Sequence, residues 1–276
     1  NAAYRNAEYD EAIKWFDKAL ESKDLIIQRE GTKGLAAVYA NKGRSLKSLE
    51  DYDKSIATYN TAMKYDPVLS TALGHQASNY MIVGEWNKAI ELYDRRIEFY
   101  KNDPTYTGLY SNYYGKGDCY CQLEQYDKAM EMYDIAFAEA LRANPGGLYS
   151  VYEARGGCYY DVFEQYDKAL EMYDKAVEEY AKNRPDSLYR IYPKVGVAYL
   201  ALEEYDKAIE NYNKAIELAE TEDTYVAGAY KGLGTVYKEL GEKAKARAAL
   251  EKAKSLYEEY GVAEDIEEVR KLLSEL

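Results

Sequence analysis

The chain has 276 residues and a formal net charge of −13; that balance excludes capture of nucleic acid or an anionic membrane through a general electrostatic field. Tyrosine dominates the aromatics, with 33 Tyr against 4 Phe and 2 Trp, which suits half-buried positions where a ring packs and its hydroxyl stays near water. No stretch approaches the roughly 18 apolar residues of a spanning helix, and no signal peptide is visible.

The first residues, Asn1-Ala-Ala-Tyr-Arg, read as the end of a helix already under way, so the sequence is expected to begin inside a longer chain. A helix then runs from Tyr9 to about Lys23 with Ala12, Phe16 and Ala19 on one face, and residues 24–33 read as a polar connection. The next helix carries Tyr39, Gly43 and Leu46, and a partner helix starts at Tyr52 and stops at Asp66-Pro67, because Pro disfavours a helical residue before it and cannot continue the ladder. A third pair has Leu73, Ala77 and Tyr80, a turn at Gly84, and a helix from Trp86 that stops at Asn102-Asp103-Pro104. A fourth has Tyr113, Gly117 and Tyr120 before Tyr126 and stops at Asn144-Pro145-Gly146-Gly147; a fifth has Gly157 and Tyr160 before Tyr166 and stops at Arg184-Pro185-Asp186. In the sixth, Tyr192, Gly196 and Tyr199 precede Tyr205, and Pro193 predicts a helix that begins or kinks close to Tyr192. The seventh has Tyr230, Leu233, Gly234 and Tyr237, a turn at Gly241, then Ala246, Leu250 and Ala253 up to Gly261. Residues 263–276 form one more amphipathic helix, with Ile266, Val269, Leu272 and Leu273 on a face.

One spacing recurs. From Tyr126 it runs Ala129, Tyr133, Ala136; from Tyr166, Ala169, Tyr173, Ala176; from Tyr205, Ala208, Tyr212, Ala215. Steps of four and three put these residues on one helical face, where alternating small and large side chains let a neighbouring helix approach at Ala and lock against Tyr. With Gly nine and Tyr six residues before the anchor aromatic, as in Gly117, Tyr120 and Tyr126 or Gly196, Tyr199 and Tyr205, the pattern resembles the tetratricopeptide repeat (TPR). That resemblance implies an all-α, right-handed superhelical α-solenoid of stacked antiparallel hairpins, about 14 helices in all: a solenoid over residues 1–262, its first hairpin truncated, and a capping helix over 263–276. Successive anchors lie 43, 34, 40, 40, 39 and 38 residues apart. Most hairpins therefore exceed the 34-residue period and resemble the lengthened repeats of kinesin light chain and of bacterial peptide-sensing regulators.

The resemblance further implies a concave groove lined by the first helix of each hairpin, at fifteen, twelve, eight and five residues before the anchor. These positions include Arg44 and Lys47, then Ser78, then Tyr114, Asp118 and Cys121, then Cys158 and Asp161, then Arg190, Pro193 and Val197, then Gly228, Lys231 and Lys238. The map has basic ends, extended by Arg5, and a middle of Tyr, Asp and thiol groups. Chaperone-tail binders of this family carry a Lys/Asn/Arg clamp; Arg44, Ser78, Asp118 and Cys158 stand at the corresponding places, so that clamp is expected to be absent.

Chemistry is poorly supported. His75 is the sole histidine, too little for a His-based triad or metal site. Cys119, Cys121 and Cys158 are an odd number, not a disulfide framework, and are expected to be buried reduced thiols, which favours a reducing compartment such as the cytoplasm. The expected function is a non-catalytic, cofactor-free scaffold that holds a peptide segment or partner helix in the groove. The alternatives are a peptide-sensing regulatory domain of a larger protein and a non-catalytic arm of an enzyme. The partner is expected to be protein or peptide, with neither nucleic acid nor direct membrane insertion. Reversing Asp118 and Asp161 to Lys should weaken binding and leave the melting transition nearly unchanged.

Overall fold

The computed structural model describes residues 2–66 and 70–276; Pro67 and the side chain of Arg5 lie outside the described residues. Among these the chain is all-α, with fourteen α-helices and two short 3-10 turns. It divides into two compact units, Ala3–Ala143 and Asn144–Leu276. The first unit holds α1 (Ala2–Leu20), α2 (Lys23–Ser48), α3 (Tyr52–Tyr65), α4 (Ser70–Ile82), α5 (Trp86–Tyr100), α6 (Leu109–Gln122) and α7 (Tyr126–Ala143). The second holds α8 (Leu148–Asp161), α9 (Tyr166–Asn183), α10 (Tyr192–Ala201), α11 (Tyr205–Leu218), α12 (Thr224–Glu239), α13 (Lys243–Tyr260) and α14 (Ala263–Ser274). Within each unit, sequential helices pair as hairpins (α2 with α3, α4 with α5, α6 with α7; α8 with α9, α10 with α11, α12 with α13), and hairpins stack on their neighbours.

The recurring face forms the core. Ala129, Tyr133, Ala136, Ala208, Tyr212 and Ala215 are fully buried, and the fifth repeat's Ala169, Tyr173 and Ala176 nearly so. Each buried Tyr ring lies against a glycine of the facing helix. A Cβ on Gly117 would come 2.8 Å from the Tyr133 ring, and one on Gly196 would come 2.6 Å from that of Tyr212. The next hairpin closes on the same ring: a Cβ on Gly232 would stand 2.2 Å from Tyr212. Close helix approach at these points is what lets one tyrosine stitch two layers together.

Every anchor from Tyr52 to Lys243 is the first residue of its helix, and Asp53, Asp127, Asp167 and Asp206 occupy first turns, where unpaired N–H groups favour a carboxylate. Two residues before each of these anchors the backbone turns left-handed. Gly84 and Gly241 fill that place in two hairpins, but Glu50, Glu124, Glu164 and Glu203 fill it in the other four, with φ of 51–59°. The turn is a Schellman closure: the N–H after the left-handed residue reaches back to a carbonyl of the last helical turn, as in Gln125 to Tyr120 at 2.9 Å.

Two expectations need correction at the amino end. Residues 2–20 are one continuous helix, so no helix ends before Tyr9. The polar stretch 24–33 is largely helical and belongs to α2, which is broken at Gly31 (φ 70°, ψ −173°). Its charged side chains point to solvent, and a helix can be polar all round where neighbouring helices do not require a face. Pro193 behaves as its chemistry requires: a 3-10 turn over Pro185–Arg190 precedes α10, which starts at Tyr192 with Pro in its first turn, where no N–H is missed. The helix over 263–274 packs on the second unit, with Val269 fully buried and Ile266, Leu272 and Leu273 packed beside it.

Candidate functional site

In the second unit, the first helices of three consecutive hairpins enclose one pocket of about 330 Å³. Asp161 comes from α8, Pro193 and Val197 from α10, Gly228 and Lys231 from α12, and Arg190 from the turn before α10. All six are positions that the repeat spacing assigns to the groove. Tyr173 and Tyr257, from the second helices α9 and α13, form aromatic wall, together with Tyr160 and Tyr225.

The charges in this pocket are unequal. Lys231 bridges Asp265 and Glu268 of α14, both at 2.7 Å; burial pulls its pKa down, but the two carboxylates more than offset that and hold it above the ordinary lysine value. Lys194 pairs with Glu153 at 2.9 Å. Arg190 has no carboxylate at ion-pair distance among the described residues. Its guanidinium lies over the Tyr189 and Tyr225 rings, 5.6 and 5.2 Å from their centroids, and its Nε donates to the Tyr189 hydroxyl, which itself donates to Asp223. Asp161 accepts no hydrogen bond there, and burial raises its carboxyl above the usual range, countered by Lys194. The pocket thus presents one oriented cation and one anion that accepts no hydrogen bond among the described residues, between aromatic walls.

Sequence spacing misplaces the fifth hairpin by one residue. Gly156, not Gly157, meets Tyr173: a Cβ there would lie 2.6 Å from the ring, whereas one on Gly157 finds only Asp161 Oδ2 at 3.9 Å. The turn is the cause. Gln165 N–H reaches Tyr159 O, six residues back, where the equivalent bonds of the other hairpins reach five. Val151 and Cys158 accordingly turn inward, 2% and 4% exposed, and Gly157, Tyr160 and Asp161 face the pocket. The paired glycines Gly156-Gly157 were the only hint in the sequence, since either could serve.

Most of the remaining groove positions are individually engaged. Lys238 pairs with Glu275 of the segment after α14, so the basic end formed by Lys231 and Lys238 is neutralised by the C-terminal residues. In the first unit Lys47 donates to Ser78 Oγ at 2.7 Å, and Arg44 is exposed. Tyr114 lies beside Tyr110, and Asp118 accepts from the Tyr133 hydroxyl. Cys119 is a free buried thiol, and Cys121 and Cys158 are not free thiols, which corrects the expectation of three reduced thiols: helix positions two apart diverge, so Cys121 faces away from Cys119. No helix of the described residues is long and apolar enough to cross a membrane.

Family models described as tetratricopeptide repeat match residues 147–220 and 187–259, and 36–68 and 110–145. The chain belongs to the tetratricopeptide repeat family. A curated relative in this family, the Hsp70-Hsp90 organizing protein of Triticum aestivum, is 28% identical over 148 residues, or 48% of this chain; the match spans 24% of the wheat protein's length. Among solved structures, a tetratricopeptide repeat protein from Parabacteroides merdae is 21% identical with a TM-score of 0.64, covering 96% of this chain and 98% of the other. A signal transduction ATPase with a tetratricopeptide repeat sensor, from Pyrococcus horikoshii, is 19% identical with a TM-score of 0.66, covering 99% of this chain and 43% of that one. At these identities the structural likeness shows the shared TPR fold.

Proposed function

We propose that this TPR chain is a non-catalytic scaffold that holds a polypeptide segment along the first helices of its hairpins, with the pocket between α8, α10 and α12 anchoring one apolar or aromatic side chain. The observation that carries the reading is the convergence of groove positions from three hairpins on that single pocket. Its walls supply flat aromatic contact at low entropy cost. Arg190, already oriented by two tyrosine rings, meets a carboxylate on the ligand; Asp161 meets a lysine or arginine. The wheat relative is named for organizing Hsp70 and Hsp90, and a scaffold role agrees with that name.

The test is a selection of random twelve-residue peptides on the whole chain, followed by fluorescence anisotropy of the selected sequences. Val197→Trp fills the pocket, and Asp161→Lys and Arg190→Glu reverse its charges. Each should weaken selected peptides at least tenfold, the scale of a buried charge-assisted contact, while reversal of Glu131 and Glu171, on second helices, does little. Selected peptides that bind all three pocket variants like the parent would remove this pocket as the site.

A further inference from the structure

We propose that Arg44, Lys47 and Arg96, gathered around His75 in the first unit, form a receiving site for the anionic oxygens of an acidic polypeptide segment, carboxylate or phosphoryl. The inference rests on the scaffold reading for what carries the anion; the chemistry of the site stands on the following geometry.

Arg96 breaks the repeat. Ten residues after the anchor stand Ala62, Ala136, Ala176, Ala215 and Ala253, all fully buried, and only the third hairpin puts a long cation there. Room for it comes from Gly74, where a Cβ would lie 2.6 Å from one guanidinium nitrogen of Arg96. The guanidinium therefore emerges against the backbone next to His75. Its partners are neutral: Asn112 Oδ1 at 3.1 Å and the Tyr106 hydroxyl at 2.9 Å.

The other two cations are also without a carboxylate partner among the described residues. Lys47 reaches only the Ser78 hydroxyl, one helical turn from His75, and Arg44 makes no side-chain hydrogen bond or ion pair among the described residues. His75 stacks on Tyr59, with centroids 6.0 Å apart, and Tyr59 lies on Gly43, next to Arg44. So α2, with Arg44 and Lys47, and α5, with Arg96, direct positive charge at the one imidazole on α4. Burial, then Lys47, Arg44 and Arg96, hold the protonation of His75 down, and burial lowers the pKa of Lys47 too.

The arrangement is exceptional for this chain, which has 49 acidic residues. In the same unit Lys42 and Lys116 both find Asp partners. Three like charges left together with neutral neighbours repel one another and carry a desolvation cost. An arriving anion relieves both and gains charge-assisted hydrogen bonds. Ser78 Oγ and the Nε2 or Nδ1 of His75 add neutral or cationic donors at the same place.

His75 being the sole histidine, its imidazole Cε1–H gives a single NMR signal that reports the site. The whole chain is titrated with three blocked tripeptides: acetyl-Glu-Glu-Glu-amide, acetyl-Gly-phosphoserine-Gly-amide, and acetyl-Gln-Gln-Gln-amide as neutral control. At least one anionic probe should shift the signal saturably and raise the imidazole pKa, since a bound anion favours imidazolium; the neutral probe should not. Which anionic probe binds tighter assigns carboxylate or phosphoryl as the preferred group. Arg44→Gln and Lys47→Gln should each weaken that probe about tenfold, the effect of one charge-assisted hydrogen bond. Both positions are solvent-accessible, and circular dichroism checks that the helices persist. No saturable shift with either anion, equal binding of the neutral probe, or undiminished binding by both variants would overturn the proposal. Those results leave the α8/α10/α12 pocket untouched, because its own variants are read with different peptides.

Discussion

The Tyr133 hydroxyl donates a 2.6 Å hydrogen bond to Oδ1 of Asp118, tying α7 to α6 within one hairpin. Tyr133 is fully buried, so its phenol depends on that carboxylate. A groove position is thereby also a structural acceptor. Tyr133→Phe should cost about 2 kcal/mol, the range for a hydrogen bond to a charged group, and Asp118→Asn less, because an amide oxygen still accepts. Asp118→Lys should lower the urea midpoint most, since it removes the acceptor and buries a cation beside the ring. The expectation that reversing Asp118 leaves melting unchanged is therefore replaced: Asp161, which accepts nothing, is the clean position for testing binding.

Four glutamates sit in the left-handed region at hairpin turns, with φ between 51° and 59°. An L side chain there costs about 1–2 kcal/mol, and Gly recovers most of it minus its greater unfolded-state entropy of roughly 0.5–1 kcal/mol. Glu124→Gly and Glu203→Gly should each stabilise by about 0.5 kcal/mol, and the fourfold replacement should raise the melting temperature by an additive amount. Calorimetry of the single and combined variants measures this; a fall in melting temperature would show that these glutamates contribute something the backbone argument omits.

The one-residue slip of the fifth hairpin makes two neighbouring glycines opposite in effect. Gly156→Ala drives a methyl into the Tyr173 ring and should destabilise by about 1–3 kcal/mol. Gly157→Ala meets only Asp161 Oδ2, at an ordinary contact distance of 3.9 Å, and should be neutral or stabilise by up to about 1 kcal/mol through helix propensity. Denaturant melts of the pair separate the two registers, because the spacing read from the sequence demands the reverse order.

Two pH effects follow from shifted groups. His75 is held below the ordinary imidazole value by burial and by Lys47, Arg44 and Arg96. The unfolded chain then binds the proton first, so stability is intact above the unfolded value of about 6.5 and declines as pH falls through it. His75→Gln should flatten the loss between pH 7 and 5. For Asp161 the sign is opposite. Burial raises its carboxyl, so ionisation penalises the folded state above the unfolded value of about 4. Asp161→Asn should raise the melting temperature slightly at pH 7, the gain vanishing toward pH 4. Asp161 is substantially exposed, which keeps the effect small.

The helices, their starts at the anchor residues and their stops at Pro and Gly were legible in the sequence, because each depends on local chemistry: the period of 3.6, the missing N–H of proline, the small-large alternation of Ala and Tyr. So was the family, since a repeat multiplies a weak local signal. Tertiary structure alone decided which groove positions converge. The extra residue in the turn after α8 rotates that helix, turning Cys158 inward and Tyr160 and Asp161 toward Arg190 and Val197, and no local propensity reports a rotation set by packing on Tyr173. It likewise decided that Lys231 and Lys238 are claimed by α14 and the residue beyond it while Arg44, Lys47 and Arg96 are not. Charge pairing between elements more than thirty residues apart depends on where the helices pack, and the linear order of the charges does not contain it.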